Sequence, residues 1–101
     1  MYKDSLIEIK LNSLVNNTDS NTEGVKLYCI LDKYFKDNKL LLLDIDSDMS
    51  LTSSFLNSSF GNIIDKYGYT KLKNNLRIKT NKNQIYRIKD YLEKYNEIYS
   101  Y

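Results

Sequence analysis

Two kinds of apolar spacing alternate along the chain, one with period two or in short runs and one recurring every three or four residues. Leu6-Ile7-Glu8-Ile9-Lys10-Leu11 alternates apolar and polar from Ile7 onward, which predicts a strand with one buried face. Asn12 to Thr22 is rich in Asn, Ser, Thr and Asp and predicts a loop. Ser20-x-x-Glu23 then has the spacing of a capping box, in which each side chain satisfies a free amide at the other end. Leu27, Tyr28, Leu31, Tyr34 and Phe35 fall on one face of the helix that follows, and Gly24 weakens its first turn.

Asp37-Asn38 breaks this pattern, and the continuous run Leu40 to Leu43 predicts a strand buried on both faces of a parallel sheet. A polar loop from Asp44 to Ser50 leads to a second helix. Thr52 or Ser53 can cap it, Leu56, Phe60, Ile63, Ile64 and Tyr67 form its apolar stripe, and Gly68 suits a left-handed C-terminal cap. Asn75 to Lys79 alternates again and predicts an outer strand. From about Asn83, Ile85, Ile88, Leu92, Tyr95 and Tyr99 mark a final helix with one core-facing stripe. The order is βαβαβα, which needs crossover connections. It predicts an α/β fold with a small, mainly parallel sheet of three to four strands and helices packed on it, as a single domain over residues 1–101. Ile7, Leu41, Leu43 and Ile78 are expected in the sheet, with Leu31, Phe60 and Ile88 packed on its faces.

Composition narrows the chemistry. The chain has 101 residues with 42% hydrophobic character, enough for one core and too much for a disordered segment. It contains no His, which removes the commonest general base, the commonest metal ligand and any Ser-His or Cys-His pair. The single Cys29 cannot form an internal disulfide, which fits a reducing compartment and a cytoplasmic location. The longest purely apolar run, Leu40 to Leu43, is far short of the ~20 residues of a membrane span. Met1 to Asp4 lack the apolar core of a signal peptide. No metal and no cofactor is expected.

The net charge of +2 points to neither nucleic acid nor membrane, but the charges are unevenly placed. Residues 40–65 carry four acids (Asp44, Asp46, Asp48, Asp65) and no base, whereas residues 71–101 carry eight bases against three acids. Along the C-terminal third the bases alternate with apolar residues, the pattern of a solvated face, and nucleic-acid binding is not expected.

Three patterns invite a chemical reading. The apolar strand ending in Asp44-Ile45-Asp46 resembles the first motif of haloacid-dehalogenase-like phosphatases, but Ser47 and Asp48 depart from the Gly and Thr or Val that should follow. The same acids open like a calcium loop, yet Met49 stands where Gly is needed and Phe55 where Glu is needed. Cys29, between Tyr28 and Ile30 on a helix and with no His to activate it, reads as a small buried hydrophobe. These readings together predict that the chain is not an enzyme. The remaining feature is Ser50-Leu51-Thr52-Ser53-Ser54-Phe55, directly ahead of the second helix. Its hydroxyls can cap the helix or lie beneath Phe55. The same free amides and the helix dipole also favour an anion, so a phosphate on a serine here would be stabilised by them, and its nearly two negative charges beside Asp44, Asp46 and Asp48 would change how the surface meets a partner.

Leu41-Leu42-Leu43-Asp44-Ile45, Ser53-Ser54-Phe55, Phe60-Gly61 and Ile63-Ile64 together resemble the bacterial STAS-like domains of unknown function, over roughly residues 6–95. That family is similar to anti-sigma-factor antagonists, in which the equivalent Asp-Ser-Ser-Gly turn carries a serine whose phosphorylation breaks partner binding. Thr52 and Phe55 stand here in place of its Asp and Gly. The resemblance implies a regulatory protein-interaction module that binds through the loop and helix 46–67. Ser53, Ser54, Asp46, Asp48 and Phe55 are then the candidate phosphorylation or contact residues, and an ATP-binding, histidine-kinase-like protein is the implied partner class. The alternative is a small phage or mobile-element inhibitor of a bacterial defence system, of anti-CRISPR type, built on the same scaffold and binding a defence protein.

Overall fold

The computed structural model describes residues 6–46 and 48–99. Met1 to Asp4 and Ser47 lie outside the described residues, as does the side chain of Tyr99. Three strands, β1 (Leu6–Lys10), β2 (Leu40–Asp44) and β3 (Leu76–Lys79), form one parallel sheet in the order β1-β2-β3. Helix α1 (Leu11–Leu14) follows β1, and α2 (Asn21–Lys36) crosses from it to β2. A second crossover runs from β2 to β3. It begins with one helical run made of α3 (Ser53–Leu56), a π-helical turn (Asn57–Gly61) and α4 (Asn62–Tyr67), and ends with α5 (Tyr69–Asn75). The long C-terminal helix is α6 (Lys82–Tyr99).

The local causes are mostly the expected ones. The Ser20 hydroxyl accepts from the Glu23 amide at 3.3 Å, one half of a capping box. The other half is redirected, because the Glu23 carboxylate accepts from the Asn16 amide at 2.7 Å and thereby pins the segment ahead of α2. Thr52 caps α3, its hydroxyl accepting from the Phe55 amide at 3.3 Å. Gly68 ends α4 with φ 95° and ψ 155°, a region of backbone space that essentially only glycine occupies.

In the core, Leu27, Leu31 and Phe35 of α2 meet Leu41 and Leu43 of β2, Phe55, Phe60 and Ile63 of the second crossover, and Ile88 of α6. Gly24 is more than a weak helix former. A Cβ there would lie 2.7 Å from the Phe55 carbonyl oxygen and 2.7 Å from the Ser58 Cβ, so its absence lets α2 and the π-helical turn touch. Within that turn the fully buried Ser59 hydroxyl donates to the Phe55 carbonyl at 2.7 Å, competing with the regular helix ladder.

Three expectations need correction, and one helix that the spacing does not predict is added. β2 is not buried on both faces. Register places Ile7, Ile9, Leu41, Leu43, Leu76 and Ile78 on the helix-covered face, while Leu6, Glu8, Lys10, Arg77 and Lys79 on the other are exposed. The physical reason is the order β1-β2-β3. Both crossovers step in the same direction, and connections of one hand then lay their helices on the same side. The loop over residues 12–22 is shortened by α1, whose Leu11 is buried together with Val15 and Thr18. The segment between Gly68 and Asn75 is the helix α5, with Leu72 turned into the core. Cys29 is exposed on the outer side of α2, opposite the stripe that meets the sheet. Among the described residues, no helix is long and apolar enough to cross a membrane.

Candidate protein-docking site

The loop from Ile45 to Thr52 leaves the C-terminal end of the sheet and enters α3. Its backbone is held by side chains remote in sequence. Three successive carbonyls are taken in turn, that of Met49 by the Gln84 side-chain amide, that of Ser50 by the Thr18 hydroxyl, and that of Leu51 by the Arg87 guanidinium at 3.1 Å. The Ile45 amide donates to the Lys79 carbonyl at 2.9 Å and the Thr52 amide to the Thr18 carbonyl at 3.1 Å. Leu51 is buried beneath the loop, as are Gln84 and Thr18. A loop with its polar backbone groups satisfied in this way is preorganised and presents one surface.

On that surface the candidate residues separate. Asp46 and Asp48 are exposed, and Asp46 accepts from the Asn12 side-chain amide at 2.7 Å. Ser53 and Ser54 are exposed at the first two positions of α3, just inside the Thr52 cap. Neither serine hydroxyl has an intramolecular hydrogen-bond partner among the described residues, so they are neither the cap nor covered by Phe55. Phe55 is different. Its ring is fully buried in the core, where it supports the helix and is out of reach of a partner. Asp44 is half-buried at the end of β2, flanked in register by Lys10 and Lys79.

The structure adds a component that local sequence pattern does not show. Ser53 lies at the edge of a groove of about 420 Å³ shared with α6, lined also by Leu56, Arg87, Tyr91 and Lys94. Tyr91 donates to the Asn57 side chain across this groove, and Lys94 pairs with Asp90 at 3.1 Å. An anion on Ser53 would therefore meet the positive end of a helix and share a groove with Arg87 and the Lys94–Asp90 ion pair of α6. The only sequence signal for these residues is the basic excess of the C-terminal third, which by itself reads as solvated surface.

Behind the site, Asp32 of α2 locks α4 in place. It accepts from the Tyr67 hydroxyl at 2.6 Å and from Lys66 at 2.9 Å. The Tyr67 hydrogen bond, then the Lys66 one, hold the Asp32 carboxyl below the usual carboxylate range, and the same bond to Asp32 pushes the Tyr67 hydroxyl up.

Comparison with curated proteins and with solved structures gives no match for this chain. A family model described as a STAS-like domain of unknown function matches residues 23–86. That match spans most of α2, β2, the loop after it, α3, the π-helical turn, α4, α5, β3 and the start of α6. The protein belongs to the family of STAS-like domains of unknown function.

Proposed function

We propose that this chain is a non-enzymatic regulatory module that binds a protein partner through the loop and helix over residues 46–67, with Asp46, Asp48, Ser53 and Ser54 at the contact. The observation that carries this reading is the pair of exposed serine hydroxyls, without hydrogen-bond partners among the described residues, at the start of a helix whose cap is already supplied by Thr52. Such hydroxyls are open to a modifying enzyme, and modification there costs the fold no existing hydrogen bond. A phosphate would change the charge of the contact by nearly two units beside exposed acids, enough to reverse an electrostatic fit. The reducing cytoplasm is the setting this reading assumes, and an ATP-binding, histidine-kinase-like protein is the partner class it favours.

The test is a pull-down with the full chain from its native host, followed by hydrogen exchange of the complex with the captured protein. The expected result is protection concentrated in residues 46–58. Protection confined to α2 or to the open sheet face, or turnover of a phosphoester abolished by Asp44→Asn, would overturn the reading.

A further inference from the structure

The outer edge of β3 offers a second surface, distinct from the serine loop. Among the described residues β3 pairs only with β2, which leaves its other side an open strand edge. The Lys79 carbonyl accepts from the Ile45 amide, which fixes the direction of the backbone groups along the strand. Arg77 and Lys79 turn theirs toward β2, and the alternate residues turn theirs outward. Ile78 therefore presents both its amide and its carbonyl at the edge. Leu76 presents its carbonyl, its amide being bound to the Leu72 carbonyl at the end of α5.

Beside this edge runs a groove of about 450 Å³ between β3 and α6. Leu76, Arg77 and Ile78 all line it, which three successive residues do only along a strand's edge, because neighbouring side chains point to opposite faces. Its floor is apolar, with Leu72, Ile88 and Leu92 buried beneath it. Its rim carries Lys73, Arg77 and Lys89, all exposed, and Glu93 is the single acid among the lining residues. None of the three cations forms an ion pair among the described residues. Lys73 lies over the Tyr69 ring at 5.2 Å, and Arg77 reaches the Lys73 carbonyl at 3.3 Å.

We propose that this groove takes an extended segment of a partner protein, acidic and with alternating apolar residues, which adds to β3 as a fourth strand. Backbone bonds to Ile78 and Leu76 would align it, every second side chain would enter the apolar floor, and its acids would meet the unpaired cations on the rim. Strand addition supplies affinity through the main chain, while the charge pattern selects the segment.

The test pans a display library of random peptides of about ten residues against the full chain, a length that spans this edge and its flanks. Enriched peptides are expected to be acidic with apolar alternation, and to lose at least about tenfold in affinity for the Arg77→Glu/Lys89→Glu protein, as charge reversal at a contact implies. Methylating alternate backbone amides of the best peptide should abolish binding in one register and spare it in the other. Ser53→Asp should leave binding unchanged. Both replaced cations are exposed, so the melting temperature should hold, and Arg77→Gln/Lys89→Gln serves if the reversed pair fails to fold. The proposal is overturned by no enrichment, by peptides lacking an acidic bias, by equal binding to the charge variants, by indifference to methylation in both registers, or by loss of binding in Ser53→Asp.

Discussion

Arg87 of α6 donates to the carbonyl oxygen of Leu51 at 3.1 Å, tying the last helix of the chain to the loop that delivers the candidate serines. Gln84, one turn earlier, does the same for Met49, and it is buried where Arg87 is exposed. Gln84→Ala should therefore cost about 1–2 kcal/mol, because a buried acceptor loses its partner, and Arg87→Ala should cost less because water can replace the guanidinium. Amide exchange over residues 48–52 should accelerate in both variants. Urea denaturation with exchange mass spectrometry measures the two effects together.

Gly24→Ala separates helix propensity from packing. On an exposed helix the change would stabilise by up to ~1 kcal/mol. Here the new methyl meets the Phe55 carbonyl and the Ser58 side chain at 2.7 Å, so a net loss of about 1–3 kcal/mol is expected from overpacking. An unchanged or raised melting temperature would show that α2 and the π-helical turn are not in such close contact.

Phe60→Ala should remove about 3–5 kcal/mol, a large share of the stability of a domain this size, since the ring is fully buried in the core, on a turn packed against α2. Thr80→Val should act in the opposite direction. The Thr80 hydroxyl is buried without a hydrogen-bond partner among the described residues, so replacing it with a methyl should be neutral or stabilise by up to about 1 kcal/mol. Both are read from denaturant midpoints at constant slope.

The Asp32 cluster predicts a pH dependence of definite sign. The Asp32 carboxyl is held below its ordinary value by Tyr67 and then Lys66. At acid pH the unfolded chain consequently binds more protons than the folded one, and stability rises with pH there. The contribution is fully present above the unfolded carboxylate value of about 3.9 and is lost as pH falls through the lower folded value. Asp32→Asn should flatten the acid limb of the stability curve between roughly pH 2 and 5 while leaving its shape above pH 6 unchanged.

Much of the fold is legible locally. The β1 alternation, the four-leucine run of β2 and the stripes of α2 and α6 each report a buried face through the period of their apolar residues. α1 and α5 are not legible this way, because a single turn such as Leu11–Leu14 has no period and α5 contributes only Leu72 as a buried apolar side chain. The open face of the sheet follows from strand order, a global property that no window of residues contains. The site divides similarly. The exposed serines and acids stand out as a polar run before an apolar stripe, whereas Phe55, in the same run, belongs to the core through the helical phase set by Thr52. Thr18, Gln84 and Arg87 hold the loop across more than thirty residues of chain, a pairing that spacing cannot reveal.

The loop and helix over residues 46–67 are proposed as a contact surface whose serines, Ser53 and Ser54, are free to be modified without cost to the fold. Calorimetric titration of the captured partner against the native chain, Ser53→Asp and Ser54→Asp, alongside their melting curves, tests it most directly. A carboxylate in the first turn of the helix should hold or raise stability by about 0.3–1 kcal/mol, and at least one of the two variants should lose partner binding. Binding retained by both variants, or lost only in step with a falling melting temperature, would contradict it.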